Sequence, residues 1–185
     1  MQSEQRPWIA ADIFIDNAFQ YDSFIGDTLA FHFRLLNVGK SPAFNVTTFA
    51  VLYTPQALNE DLFATWRDKC TAQGLYNSDD GLVLFPTQEK SSDEDAPGQG
   101  HFLSNDNINT GRKVENGDVL RIYIMGCVRY SDSTGVSKHQ TGILYALRTR
   151  DKATGAWNVG IDPRNAIPAA EIVPVTSHFS SGMTY

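Results

Sequence analysis

Large apolar residues alternate with polar ones along much of this chain, and this alternation predicts β-strands. The clearest case is the segment LAFHFRL at 29–35, which has an apolar residue at every second position, the period of a strand with one buried face. Turn residues separate such segments. We therefore predict an all-β fold, an immunoglobulin-like antiparallel β-sandwich of about seven to nine strands. The predicted strands are 8–15, 29–35, 44–53, 82–85, 119–130, 139–150, 157–161 and an edge strand near 172–175.

One segment has a different period. Leu58, Leu62, Trp66 and Cys70 recur at every fourth position, with polar residues between them. This spacing gives a helix one apolar stripe. We predict one inserted α-helix over about 57–71, which packs its stripe onto one of the sheets.

Polar segments separate these elements. Residues 73–81 and 89–117 are rich in Gly, Asn, Asp and Ser, and we interpret both as loops. In the tighter turn at 37–42, we expect Gly39 to take a positive φ that other residues avoid. No repeat or linker divides the chain. Residues 1–185 are therefore predicted to form a single β-sandwich domain, whose last ten or so residues are a loose tail.

Composition excludes several classes of protein. The 185 residues are 42% hydrophobic and 11% aromatic, which is ordinary for a folded domain. The net charge of −6 and scattered Lys and Arg residues argue against binding to nucleic acid, which requires a basic surface. No segment approaches the roughly 20 apolar residues of a membrane span, and the N-terminus lacks the pattern of a secretory signal.

Four short strings together resemble a known group of proteins. They are RPW at 6–8, NVGKSPA at 37–43, GCVRYSD at 126–132 and HQTG at 139–142. In order and spacing they are similar to the soluble domain of uncharacterised bacterial proteins that are usually anchored by one or two N-terminal transmembrane helices. The resemblance implies a β-sandwich beside a membrane, with the anchor outside the present sequence, and it implies no activity.

One hairpin carries the residue types of nucleophilic catalysis. Asp132 and His139 flank its loop, and Thr141 follows on the second strand. A carboxylate that orients an imidazole beside a hydroxyl is the arrangement used by hydrolases. The alternative is a polar hairpin whose side chains bind one another and the turn backbone. The acidic loops 78–81 and 92–95 lack the calcium-loop pattern, so we expect no metal and no cofactor.

The two cysteines could form a disulfide. Cys127 lies on the strand face opposite Leu120, Ile122 and Ile124, and the predicted helix is the natural cover of that face. Cys70 is on the apolar stripe of this helix. We expect the two thiols to meet, either as a bond that indicates an oxidising compartment or as two reduced core thiols.

These observations favour a non-enzymatic binding or interaction module with a protein partner. We expect it to be anchored to a bacterial membrane, with the domain in the periplasm or outside the cell, although a cytoplasmic location stays open. One alternative is a hydrolase-like enzyme centred on Asp132 and His139. Another is a carbohydrate-binding sandwich with an exposed row of aromatic residues, for which Trp157 and Tyr145 are candidates.

Overall fold

The structure, a computed structural model, describes residues 6–72, 81–91, 100–150, 154–158 and 160–176. Eleven strands, two α-helices and one short 3₁₀ helix lie within these residues. The sequence predicts eight of these strands and misses those at 20–22, 89–91 and 100–104, the last two because they lie in the polar segment 89–117 that it interprets as a loop. The strands are β1 Ile9–Ile15, β2 Gln20–Asp22, β3 Gly26–Asn37, β4 Ala43–Tyr53, β5 Leu82–Leu84, β6 Glu89–Ser91, β7 Gly100–Ser104, β8 Tyr123–Ser131, β9 Lys138–Arg150, β10 Trp157–Asn158 and β11 Ile172–Thr176. The helices are α1 Leu62–Ala72, α2 Asn105–Glu115 and the 3₁₀ helix Ala169–Glu171.

The strands form two antiparallel sheets, which confirms the predicted sandwich. In the first sheet, β3 pairs with β1 and β6 along its C-terminal half, and with β2 and β7 along its N-terminal half. The second sheet has the order β10-β9-β8-β4-β5, with β11 also paired to β9. Strands β1, β3 and β7 thus take the places of A, B and E in an immunoglobulin-like domain, and β4, β8 and β9 those of C, F and G.

The main core lies between the two sheets and follows the predicted alternation. In β3, the apolar residues at 29, 31, 33 and 35 are buried, and Arg34 is exposed. In and just before β8, Leu120, Ile122 and Ile124 face the same core. The opposite face of β8 is also buried, because Met125 and Cys127 form a second apolar cluster beneath α1.

The inserted helix is found, but it begins later than the sequence predicts. Asp61 caps it, since its carboxylate accepts hydrogen bonds from the backbone N–H groups of residues 63 and 64, at 3.0 and 3.1 Å. Leu58 therefore lies in the preceding turn and is 75% exposed, whereas Trp66 and Cys70 are buried. The predicted stripe is right for Trp66 and Cys70 and wrong for Leu58.

A second helix, α2, occupies part of the segment 89–117 that the sequence predicts as a loop. Its first turn is capped by Ser104, whose hydroxyl accepts a hydrogen bond from the N–H of Asn107 at 3.3 Å. Only Ile108 and Gly111 of this helix are buried. The prediction failed because the helix has no apolar stripe for a periodicity argument to detect.

The turn at 37–42 forms as predicted, although Gly39 does not take a positive φ. A side chain is excluded there for a different reason. A Cβ atom at Gly39 would lie 2.5 Å from the backbone nitrogen of Trp8 and 2.6 Å from the carbonyl oxygen of Arg6. The strings RPW and NVGKSPA are thus in direct contact, and glycine permits that close approach.

Several expectations fall on residues that the structure does not describe. The acidic loop 92–95, most of the loop 78–81 and the loose tail after Thr176 lie outside the described residues. Among the helices that are described, none is long and apolar enough to cross a bilayer.

Candidate functional site

Asp132 organises the turn between β8 and β9. Its carboxylate accepts hydrogen bonds from the backbone N–H of Thr134 at 3.0 Å and from the Thr134 hydroxyl at 2.6 Å. Side-chain hydrogen bonds, first from Thr134 and then from Ser137, lower the pKa of the Asp132 carboxyl. The side chain therefore stabilises the hairpin loop.

His139 and Thr141 have other partners. The hydroxyl of Thr141 donates to the carbonyl oxygen of Ile9 at 2.8 Å, in a buried contact with β1. The ring of His139 packs on Tyr130, its partner in the strand register, with 5.4 Å between the ring centroids. Its Nε2 atom is buried and makes no hydrogen bond to the described residues. Asp132 thus lies in the turn and His139 and Thr141 lie on β9, and the hairpin does not join carboxylate, imidazole and hydroxyl into one chain of hydrogen bonds.

The two thiols meet beneath α1, as the sequence predicts. Cys70 on α1 and Cys127 on β8 are both buried in the second apolar cluster. A hydrogen bond between the thiols, together with burial, raises the pKa of Cys70, and the same hydrogen bond lowers the pKa of Cys127. Both are free thiols in the structure, so the disulfide that we considered is not formed there.

Trp66 contacts the glycines of two motif strings. Its indole Nε1 donates a hydrogen bond to the carbonyl oxygen of Gly126 at 2.6 Å, within the second sheet. A Cβ atom at Gly142 would lie 2.1 Å from the indole ring, so only glycine leaves room for it. The strings at 126–132 and 139–142 therefore supply residues that contact the buried Trp66.

A cleft of about 590 Å³ lies at one end of the second sheet, where β9 pairs with β10. Trp157 on β10 is 49% exposed. In the strand register it stands opposite Arg150, whose guanidinium carbon lies 5.8 Å from the centroid of the Trp157 ring system. The cleft is lined by Val119, Thr149, Arg150, Trp157, Asn158, Gly160, Ile161, Asp162, Asn165, Ile167 and Glu171.

Two backbone bridges fix the floor of this cleft. Ile161 exchanges two backbone hydrogen bonds with Leu120, both at 2.8 Å. Ile167 does the same with Phe19, at 2.8 and 3.0 Å. These bridges join the segment that follows β10 to the residues just before β8 and β2, so the lining residues are held by the fold itself.

Asp162 lies between the two bridges and gives this side of the cleft a polar group. Its carboxylate accepts hydrogen bonds from the guanidinium of Arg164 at 3.0 and 3.1 Å and from the amide nitrogen of Asn165 at 3.1 Å. The bond with Arg164 is the main cause of the lowered pKa of Asp162. The carboxylate is thus ionised and paired, and the amide oxygen of Asn165 makes no hydrogen bond to the described residues.

The sequence predicts part of this cleft. Trp157 was a candidate for exposed recognition, and it does line the cleft. Tyr145, the other aromatic candidate, does not form an exposed row with Trp157. Its hydroxyl donates a hydrogen bond to the carbonyl oxygen of Ala11 at 3.1 Å, between the two sheets. Arg150 and Asn165 were missed, since neither belongs to a motif and only the tertiary structure brings them together. Among the described residues, no group of three or more His, Cys, Asp or Glu is placed to hold a metal ion.

Comparisons of this chain with protein-family models, with curated proteins and with solved structures find no match. The resemblance to membrane-anchored bacterial proteins therefore stays a prediction.

Proposed function

We propose that this domain is a non-enzymatic recognition module that binds its ligand in the cleft beside Trp157. The observation that carries the proposal is a half-exposed tryptophan on the wall of a cleft of about 590 Å³. This volume lies within the range of small-molecule sites. The exposed part of this large aromatic side chain can supply contact area to a ligand.

The hairpin geometry favours recognition over catalysis. A catalytic hydroxyl must be within hydrogen-bond reach of its base, and the base must be oriented by a third group. Here the hydroxyl of Thr141 is bound to Ile9, and the carboxylate of Asp132 is bound to Thr134. Each side chain serves the sandwich or its turn, so the enzyme hypothesis has no geometric support in this hairpin.

The proposal includes the setting that the resemblance implies. The module would be the recognition domain of a bacterial protein anchored by an N-terminal membrane segment, and it would face the periplasm or the cell exterior. A protein partner is the expectation for the longer protein. Identification of what co-purifies with that protein from its own host tests this part of the proposal.

The cleft itself is tested by nuclear magnetic resonance with the indole nitrogens labelled. The chain has three tryptophans, Trp8, Trp66 and Trp157, so each signal reports on a separate region. In a titration with a library of sugars, short peptides and nucleotides, a true ligand should shift the Trp157 signal and leave that of the buried Trp66 unchanged. If every compound that binds shifts only the signals of Trp8 or Trp66, the cleft is not the site.

A further inference from the structure

We infer that the ligand of the cleft is an uncharged carbohydrate whose pyranose ring stacks on Trp157, an inference that rests on the proposed function. The structure presents three features that such a ligand requires. They are an exposed aromatic ring held at a fixed angle, neutral polar side chains around it, and a cleft with little net charge.

The first feature is the position of the indole ring. Trp157 pairs with Arg150 across β9 and β10, and the Arg150 guanidinium lies over its ring system. The strand pairing and this cation–π contact restrict how the ring can turn. The face of an indole carries partial negative charge. The C–H groups on one face of a pyranose carry partial positive charge, so a flat, exposed ring is a suitable platform for a sugar.

The second feature is the set of neutral polar groups. Asn158, Asn165 and Thr149 line the same cleft as the indole. Amide and hydroxyl groups both donate and accept hydrogen bonds, as sugar hydroxyls do. Asp162 accepts a hydrogen bond from the amide nitrogen of Asn165 and so holds that side chain in place. A sugar that rests on Trp157 would therefore find partners for its hydroxyls around the ring edge.

The third feature is the charge of the lining. Among the described residues that line the cleft, Arg150 is the only cation, and Asp162 and Glu171 are the anions. Arg164 stands close by and pairs with Asp162. These described residues do not form the cluster of arginines that a phosphate or another anion needs. A cationic ligand would be repelled by the Arg150 guanidinium. The balance favours a ligand without charge.

The test is a titration of the whole chain with soluble tetrasaccharides, followed by the Trp157 indole signal and by calorimetry. The panel contains cellotetraose, chitotetraose, xylotetraose, mannotetraose and maltotetraose. We expect at least one of them to shift Trp157 and to bind measurably. Trp157→Ala should then weaken binding about tenfold or more, which is the loss of a stacking contact together with its buried area. Trp157→Phe should retain part of the affinity.

The matched control is Phe24→Ala, because Phe24 is an aromatic residue that is 91% exposed and does not line the cleft. This variant should bind the sugar as the parent does. If no tetrasaccharide binds while a peptide or nucleotide shifts Trp157, the carbohydrate inference is overturned and the proposed function stands. If a sugar binds and Trp157→Ala leaves its affinity unchanged, both are overturned for this cleft.

Discussion

At the scale of single residues, Trp66 is the most informative side chain of the second core. It is 3% exposed, it packs with Phe63 at 5.0 Å between ring centroids, and its nitrogen is bonded to Gly126. Replacing it with alanine removes a large aromatic side chain and leaves a cavity. We expect Trp66→Ala to lower the free energy of unfolding by about 3–5 kcal/mol in denaturant melts.

Leu58→Ala is the control for that measurement. Leu58 belongs to the same every-fourth-residue pattern, but it is exposed, so its loss should change stability by less than about 0.5 kcal/mol. A cost below about 1 kcal/mol for Trp66→Ala would show that the helix does not bury its stripe. The pair also shows the limit of a prediction from periodicity. Leu58 and Trp66 fit the every-fourth-residue pattern equally well, and only the cap at Asp61 decides where the helix begins.

Gly142 yields a second residue-scale prediction. A methyl group there would lie 2.1 Å from the Trp66 ring, so Gly142→Ala should cost about 1–3 kcal/mol through overpacking. Gly117→Ala is the matched control, because a Cβ atom at Gly117 has no neighbour closer than 3.9 Å. If the clash is the cause, Trp66→Phe should relieve part of the cost in the double variant, measured by thermal melts. Costs that simply add would refute the assigned contact.

At the scale of elements, the sequence predicts those that bury one regular face and misses those that do not. The strand β3 was predicted because its buried residues recur at every second position. The helix α2 was missed, since it buries only Ile108 and Gly111. A local signal was present in Ser104, a preferred helix cap, but one cap without an apolar stripe is weak support for a helix.

The contact between α1 and β8 leads to a prediction about its thiols. The structure has Cys70 and Cys127 as buried free thiols. We therefore expect two free thiols per chain when protein purified without reductant is denatured and titrated with a thiol reagent. Before denaturation both should react slowly, because burial denies the reagent access. Cys70→Ser, with one thiol fewer, calibrates the count. A count of zero in denaturant would mean that the pair does oxidise, and it would revive the argument for an oxidising compartment.

At the scale of the whole molecule, side chains of β9 in the second sheet bind the backbone of β1 in the first sheet. Thr141 and Tyr145 donate hydrogen bonds to the carbonyl oxygens of Ile9 and Ala11, residues more than 130 positions away in the chain. Such contacts leave no pattern in the sequence, and the same is true of the cleft, whose lining comes from several separate segments. The sequence therefore predicted the sandwich and the exposed Trp157, but not the assembly of polar groups around it.

Asp27 should make the stability of the whole domain depend on pH. Its side chain is fully buried, and its carboxyl oxygens make no hydrogen bond to the described residues. Burial, with a smaller effect of Asp162, raises the pKa of Asp27 to about 7. In the unfolded chain the group titrates near pH 4. Between these values the folded state holds a proton that the unfolded state has lost, so stability falls as pH rises from about 4 to 7 and then levels off.

Asp27→Asn isolates this effect, because asparagine keeps the shape and cannot ionise. In thermal melts from pH 4.5 to pH 8, the variant should gain stability relative to the parent as pH rises, and most of that gain should be complete near pH 7. Other titrating groups, such as His101 with a pKa lowered by burial, are common to both proteins and cancel in the difference. A difference in melting temperature that is independent of pH would mean that Asp27 does not stay protonated inside the sandwich. A variant that loses stability relative to the parent as pH rises would mean that the folded state favours the carboxylate, through a partner that the described residues do not supply.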